Sequence, residues 1–180
     1  MLNKVSVRII PVIVLLLSVS GLQLADGQTQ DPIESIRQHY ASINQSAPRY
    51  RRVKKELWGF SPEGGELVAY FHGPSVMKMV ATFLGESGRA VEEYYYWNGQ
   101  VIFVLSTDNR YDKPFGKVVR KNVTRLYFRD HKLIRWIGED GKEVASDSAE
   151  YATKQGDYLK LAKLLVDGAK SKSRSIESPD

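Results

Sequence analysis

Three segments of the chain share one pattern: an aromatic pair, a polar residue, two turn residues, a second polar residue, then successive apolar residues. They are Tyr70-Phe71-His72-Gly73-Pro74-Ser75-Val76-Met77, Tyr95-Tyr96-Trp97-Asn98-Gly99-Gln100-Val101-Ile102 and Tyr127-Phe128-Arg129-Asp130-His131-Lys132-Leu133-Ile134, and they align without a gap. Asn98-Gly99 between apolar runs is the strongest short-range hairpin signal, because both residues tolerate the positive φ that a type I′ turn demands. A chain punctuated in this way is constrained to a meander of antiparallel hairpins. Strands are expected over 50–58, 67–72, 76–84, 90–97 and 100–106, with a third hairpin over 124–128 and 132–137. The glycines and proline of Ser61-Pro62-Glu63-Gly64-Gly65-Glu66 mark a turn.

In the central hairpin, uninterrupted pairing sets Trp97 opposite Gln100, Tyr96 opposite Val101, Tyr95 opposite Ile102 and Tyr94 opposite Phe103. Tyr94, Tyr96, Val101 and Phe103 would then share one face, and Tyr95, Trp97, Ile102 and Val104 the other. By the same register, Phe128 would face Leu133 and Tyr127 would face Ile134. Both faces carry aromatic or branched residues, so neither is expected to be fully solvated.

Helices are expected at both ends of this meander. Asp31 can cap exposed amides, Pro32 sits where no amide hydrogen is needed, and Ile33, Ile36, Tyr40 and Ile43 form one apolar stripe ending near Asn44. Asp147-Ser148-Ala149-Glu150 repeats the capping chemistry, Tyr151, Tyr158, Leu161, Leu164 and Leu165 supply an apolar side, and Gly168 is the expected stop. The fold class that follows is α+β: a single twisted antiparallel β-meander with flanking N- and C-terminal helices, over residues 28–168. The polar segment 169–180 offers too little apolar area to offset the entropy of ordering and is expected to be a mobile tail.

Residues 1–27 have the grammar of a secretory signal, with Lys4 and Arg8 ahead of an apolar run over 9–19 and small Ala25 and Gly27 before the expected cut. An exported protein, periplasmic or extracellular, is therefore expected, with a retained N-terminal anchor as the alternative. The chain has no cysteine, which removes disulfides, thiol chemistry and cysteine-based zinc sites. Its net charge of +5 is concentrated over 49–55, 117–125 and the tail. Export argues against nucleic acid as the reason for that charge and leaves a solvated face or an anionic surface, such as lipid headgroups or polysaccharide.

Catalytic patterns are sparse. The three histidines, His39, His72 and His131, form no metal-binding spacing, and no nucleophile elbow is present, Ser87 reading as a turn residue. No cofactor is implied. Glu92 and Glu93 are adjacent in a strand and point to opposite faces, which prevents joint acid–base work. Glu63 with Glu66 is the remaining carboxylate pair for a hydrolase. The connection over 107–116 breaks the repeat, and such insertions on a rigid sheet are where binding groups tend to sit. Arg110, Tyr111, Asp112 and Phe115 are the binding residues it suggests.

The chain resembles a group of uncharacterised secreted bacterial proteins through Ile43-Asn44, Glu63-Gly64-Gly65-Glu66, Gly85-Glu86-Ser87-Gly88, Glu93-Tyr94-Tyr95-Tyr96 with Asn98-Gly99, and Tyr127-Phe128 to Trp136-Ile137. Its aromatic-turn units are also similar to the MORN-like repeats of bacterial YwqK-type proteins, although the period is irregular and the usual glycines are mostly missing. The resemblance implies an exported hairpin-meander fold and brings no catalytic residue. The function expected is that of an exported, non-catalytic binding protein whose partner is a protein or envelope component. The alternatives are a periplasmic carrier of lipid or another apolar ligand, and a carboxylate-dependent hydrolase.

Overall fold

The computed structural model describes residues 31–179, and the export signal read over residues 1–27 lies outside them. Helix α1 (Pro32–Ser46) and a 3-10 turn (Ala47–Arg49) precede seven strands: β1 (Arg51–Trp58), β2 (Gly65–His72), β3 (Ser75–Gly85), β4 (Gly88–Trp97), β5 (Gln100–Tyr111), β6 (Val118–Arg129) and β7 (Lys132–Ile137). Helix α2 (Ala149–Lys170) and a short strand β8 (Ser175–Glu177) follow. The strands form one open, twisted sheet in the order β7-β6-β5-β4-β3-β2-β1-β8, so the α+β meander expected from the turns is what the chain adopts.

Local chemistry sets the ends of the elements. The Asp31 side chain accepts a hydrogen bond from the Ile33 amide at 3.0 Å and opens α1. Ser148, rather than Asp147, caps α2, its Oγ accepting from the Tyr151 amide at 3.2 Å. Asn98 and Gly99 both have positive φ, as do Asp130 and His131 in the third hairpin, so both are tight turns of the mirror-image kind.

Register departs from uninterrupted pairing at the same place in all three hairpins. Tyr70 pairs with Lys78 and Phe71 with Val76, Tyr95 with Phe103 and Tyr96 with Val101, Tyr127 with Arg135 and Phe128 with Leu133. One residue is therefore extra in each returning strand: Met77, Ile102 and Ile134. These β-bulges add twist and move every later residue to the other face. The expected faces are corrected accordingly. Val104 joins Tyr94, Tyr96 and Val101 in the core beneath α2, while Phe103 joins Tyr95 and Tyr127 beneath α1. Phe128 opposite Leu133 is as expected.

Each face is covered by one helix. Ile33, Ile36 and Ile43 of α1 lie on Tyr95, Phe103 and Tyr127, and Tyr40 sits 4.7 Å from the Tyr95 ring. On the other side Tyr151, Ala162, Leu165 and Ala169 of α2 close over Leu57, Leu67, Tyr94, Leu126 and Phe128. The end of the chain departs from expectation. Helix α2 runs through Gly168 to Lys170, and β8 pairs parallel with β1, Ile176 opposite Leu57. Ile176 is buried over Gly168, where a Cβ would fall 2.5 Å from its Cγ1. The buried Lys55 ammonium donates to the carbonyls of Ser171, at 2.9 Å, and Ser173. A single apolar residue and one cation thus bind the polar segment expected to be a mobile tail.

Candidate binding surface

Because the meander alternates direction, its connections fall at two ends. The aromatic-turn tips at 73–74, 98–99 and 130–131 share one end, and the connections at 59–64, 86–87 and 112–117 share the other.

At the tip end Trp97 stacks on His39, with ring centres 3.8 Å apart and planes 23° apart, and burial lowers the pKa of that imidazole. A hollow of about 410 Å³ beside them is lined by Ser35, Gln100 and Arg129 among others. Another of about 470 Å³ lies between α2 and the central tip, against Tyr96, Val101, Leu159 and Val166. The Tyr96 hydroxyl is buried and has no hydrogen-bond partner among the described residues.

At the opposite end, the expected ten-residue connection is mostly strand. Thr107, Asn109 and Tyr111 continue β5 by pairing with Val123, Lys121 and Val118, which leaves only 112–117 as loop. Arg110 forms an ion pair with Asp108 at 3.3 Å, and half-buried Tyr111 donates its amide hydrogen to Ser87 O at 2.9 Å. Asp112 closes the loop on itself: its amide donates to Lys117 O at 3.0 Å and its side chain accepts from the Lys117 amide at 2.8 Å. Phe115 donates its amide hydrogen to Glu86 O at 2.9 Å, has φ 54 and is 66% exposed. A bulky residue rarely occupies that backbone region, so these hydrogen bonds hold it there.

The four expected residues thus share one end of the sheet, and they have apolar neighbours that sequence reasoning missed. Val118 and Val119 are 46% and 65% exposed and Leu84 is 40% exposed. Val119 is the extra residue of a fourth bulge, between Arg110 and Tyr111, and bulges re-aim side chains. The available signal was two valines inside a basic run, Lys117-Val118-Val119-Arg120-Lys121.

The carboxylates are otherwise engaged. Glu93, on the α1 face, meets the Lys78 ammonium at 2.5 Å and accepts from the Tyr95 hydroxyl at 2.7 Å, while Lys78 also donates to Asn44 Oδ1 at 2.9 Å. Glu92, on the α2 face, accepts from the hydroxyls of Tyr94 and Tyr158. Burial raises the Glu92 pKa, against the opposing pull of those hydrogen bonds and of Lys154. Glu92 thus bonds α2 directly, and Glu93 orients the two groups, Lys78 and Tyr95, that bond Asn44 of α1. Glu63 and Glu66 are both exposed, and Glu66 is bonded to Lys54 at 3.3 Å, so the pair stands in solvent. Among the described residues no group of three or more His, Asp or Glu could hold a metal ion, and no helix is long and apolar enough to cross a membrane.

Comparison with protein-family models, with curated proteins and with solved structures gives no match. The functional reading therefore rests on the surface itself.

Proposed function

We propose that this chain acts outside the cytoplasm as a non-catalytic binding protein that holds an envelope component or protein partner against the loop end of its sheet. The observation that carries this reading is the exposure, within five residues of chain, of Phe115 on a hydrogen-bonded loop and of Val118 and Val119 at the start of β6. Large apolar side chains gathered in water mark an interaction surface when they adjoin one another, whereas scattered ones mean nothing. The loop is rigidly tied to the β3–β4 turn, so little order has to be gained on binding. The carboxylates of Glu92 and Glu93, by contrast, are spent inside the fold, Glu92 on Tyr158 of α2 and Glu93 on Lys78 and Tyr95, which both bond Asn44 of α1.

The test is co-sedimentation of the purified chain with envelope fractions of its producing cell. Phe115→Ser with Val119→Ser is expected to reduce capture about tenfold while leaving the thermal transition unchanged, because both side chains are already in water. Undiminished capture would place the binding surface elsewhere. A carrier of apolar ligands is the second reading, favoured by the hollow against Tyr96, Val101, Leu159 and Val166. Mass spectrometry of the natively extracted protein would find a co-purifying lipid in that case.

A further inference from the structure

The loop end carries charge as well as apolar surface. From Asp108 to Lys121 the cations are Arg110, Lys113, Lys117, Arg120 and Lys121, against Asp108 and Asp112. Asp108 is paired with Arg110, while Asp112 accepts from the Lys117 amide and keeps its charge, as does exposed Glu86 beside the loop, so the five cations stay in excess over three carboxylates. Lys113, Lys117, Arg120 and Lys121 are all exposed, and among the described residues no ion pair engages them. Exposed apolar residues and a collar of cations therefore occupy the same few residues of chain.

Resting on the reading above, we infer that the partner is an anionic lipid surface. Phe115, Val118 and Val119 enter the boundary between headgroups and acyl chains, and Lys113, Lys117, Arg120 and Lys121 meet lipid phosphates. Two weak signals are what reversible attachment to a bilayer needs: apolar area alone or charge alone binds marginally, and their products multiply. Charge complementarity selects this occupant over an apolar protein face, where unpaired lysines at the centre of contact would have to lose their water. The geometry agrees with it. A tight turn projecting from the end of a sheet offers a knob rather than a groove, and a fluid lipid phase accepts a knob without a complementary socket. The φ 54 at Phe115, held by its bond to Glu86 O and by the Gly116 amide on Lys113 O at 2.9 Å, sets the loop backbone before contact, with the Phe115 side chain already in water.

The experiment uses protein-free vesicles of phosphatidylethanolamine with phosphatidylglycerol, beside vesicles of phosphatidylcholine alone. Variants are compared within the same full chain, so any contribution from the apolar run over 9–19 cancels. Binding to the anionic vesicles is expected, with loss of about tenfold or more in Phe115→Ser/Val119→Ser. Lys117→Glu/Lys121→Glu should weaken it by a similar factor and remove the preference for phosphatidylglycerol. Phe115→Trp should show a blue shift of emission on anionic vesicles. Equal binding by all variants, or equal binding to both vesicle types, overturns the lipid assignment. If envelope fractions respond to Phe115→Ser/Val119→Ser while protein-free vesicles bind nothing, the loop end remains the docking surface and only its lipid partner is refuted. If neither preparation responds, both readings fall.

Discussion

Helix α2 contains a matched pair of glycines for which the fold demands opposite outcomes. Gly156 is exposed, and among the described residues nothing beyond its own stretch of helix comes within 4 Å of where a Cβ would stand, so Gly156→Ala only removes backbone freedom from the unfolded chain. A gain of about 1 kcal/mol is expected, or roughly 2–4 °C for a domain of this size. Gly168→Ala offers the same gain, but its methyl would meet Cγ1 of Ile176 at 2.5 Å and Cδ1 closer still, with Cγ2 at 3.1 Å. Three atoms of one side chain cannot be relieved by a rotamer change, so Ile176 must leave its site. Ile176 is 5% exposed, and returning it to water costs about 2–3 kcal/mol. The balance is a net loss of about 1–2 kcal/mol. Urea unfolding followed by circular dichroism reads both variants. The decisive measurement is Gly168→Ala in an Ile176→Ala background, where the obstacle is gone and the substitution should become stabilising by about 1 kcal/mol. If Gly168→Ala stabilises the parent chain as Gly156→Ala does, the packing of β8 against α2 is wrong.

Glu92 gives a pH signature. Its folded pKa is raised, so the stability linked to its proton is fully present below the unfolded value of 4.5 and is lost as pH rises through the folded value. Glu92→Gln cannot titrate, so the parent should gain on this variant in urea midpoint as pH falls from about 7 to about 4.5, and a constant difference would show that burial does not control this carboxyl. Lys55→Ala removes the charged donor from the carbonyls of Ser171 and Ser173 at a cost of about 1–3 kcal/mol, and trypsin should cut at Lys172 and Arg174 faster than in the parent. Unchanged cleavage would mean that Lys55 does not hold the end of the chain. Deleting Ile102 removes the bulge and exchanges the faces of Trp97 and its hairpin partners relative to Phe103 and Val104, so the variant should lose its cooperative thermal transition. A stable, cooperative deletion variant would refute the register.

The residues that carried the candidate surface were only half legible in advance. Arg110, Tyr111, Asp112 and Phe115 stood out because their segment interrupts a repeat, which is a local property of the chain. That Val118, Val119 and Leu84 stand exposed at the same end of the sheet as Phe115 could not be read, because a valine in a basic run looks the same whether it faces a helix or water. Exposure is a property of what packs on a strand. Here α1 packs on β4, β5 and β6 through the side chains grouped around Tyr95, Phe103 and Tyr127, and the loop end lies beyond them.

The turns and the helix starts follow from the order of residues alone, because those depend on a few adjacent residues. Asn98-Gly99 supplies the left-handed backbone of a tight turn, and Asp31 supplies an acceptor two residues before the amide it caps. The register and the path of the chain end come instead from long-range packing. In Val101-Ile102-Phe103-Val104-Leu105 every position is apolar, so alternation gives no sign of which residue is extra, and only two helices competing for opposite faces select Ile102. Residues 171–179 likewise carry one apolar side chain in a polar segment. What orders them is distant in the chain: the backbone of β1, the Lys55 ammonium, and the space left by a missing side chain at Gly168.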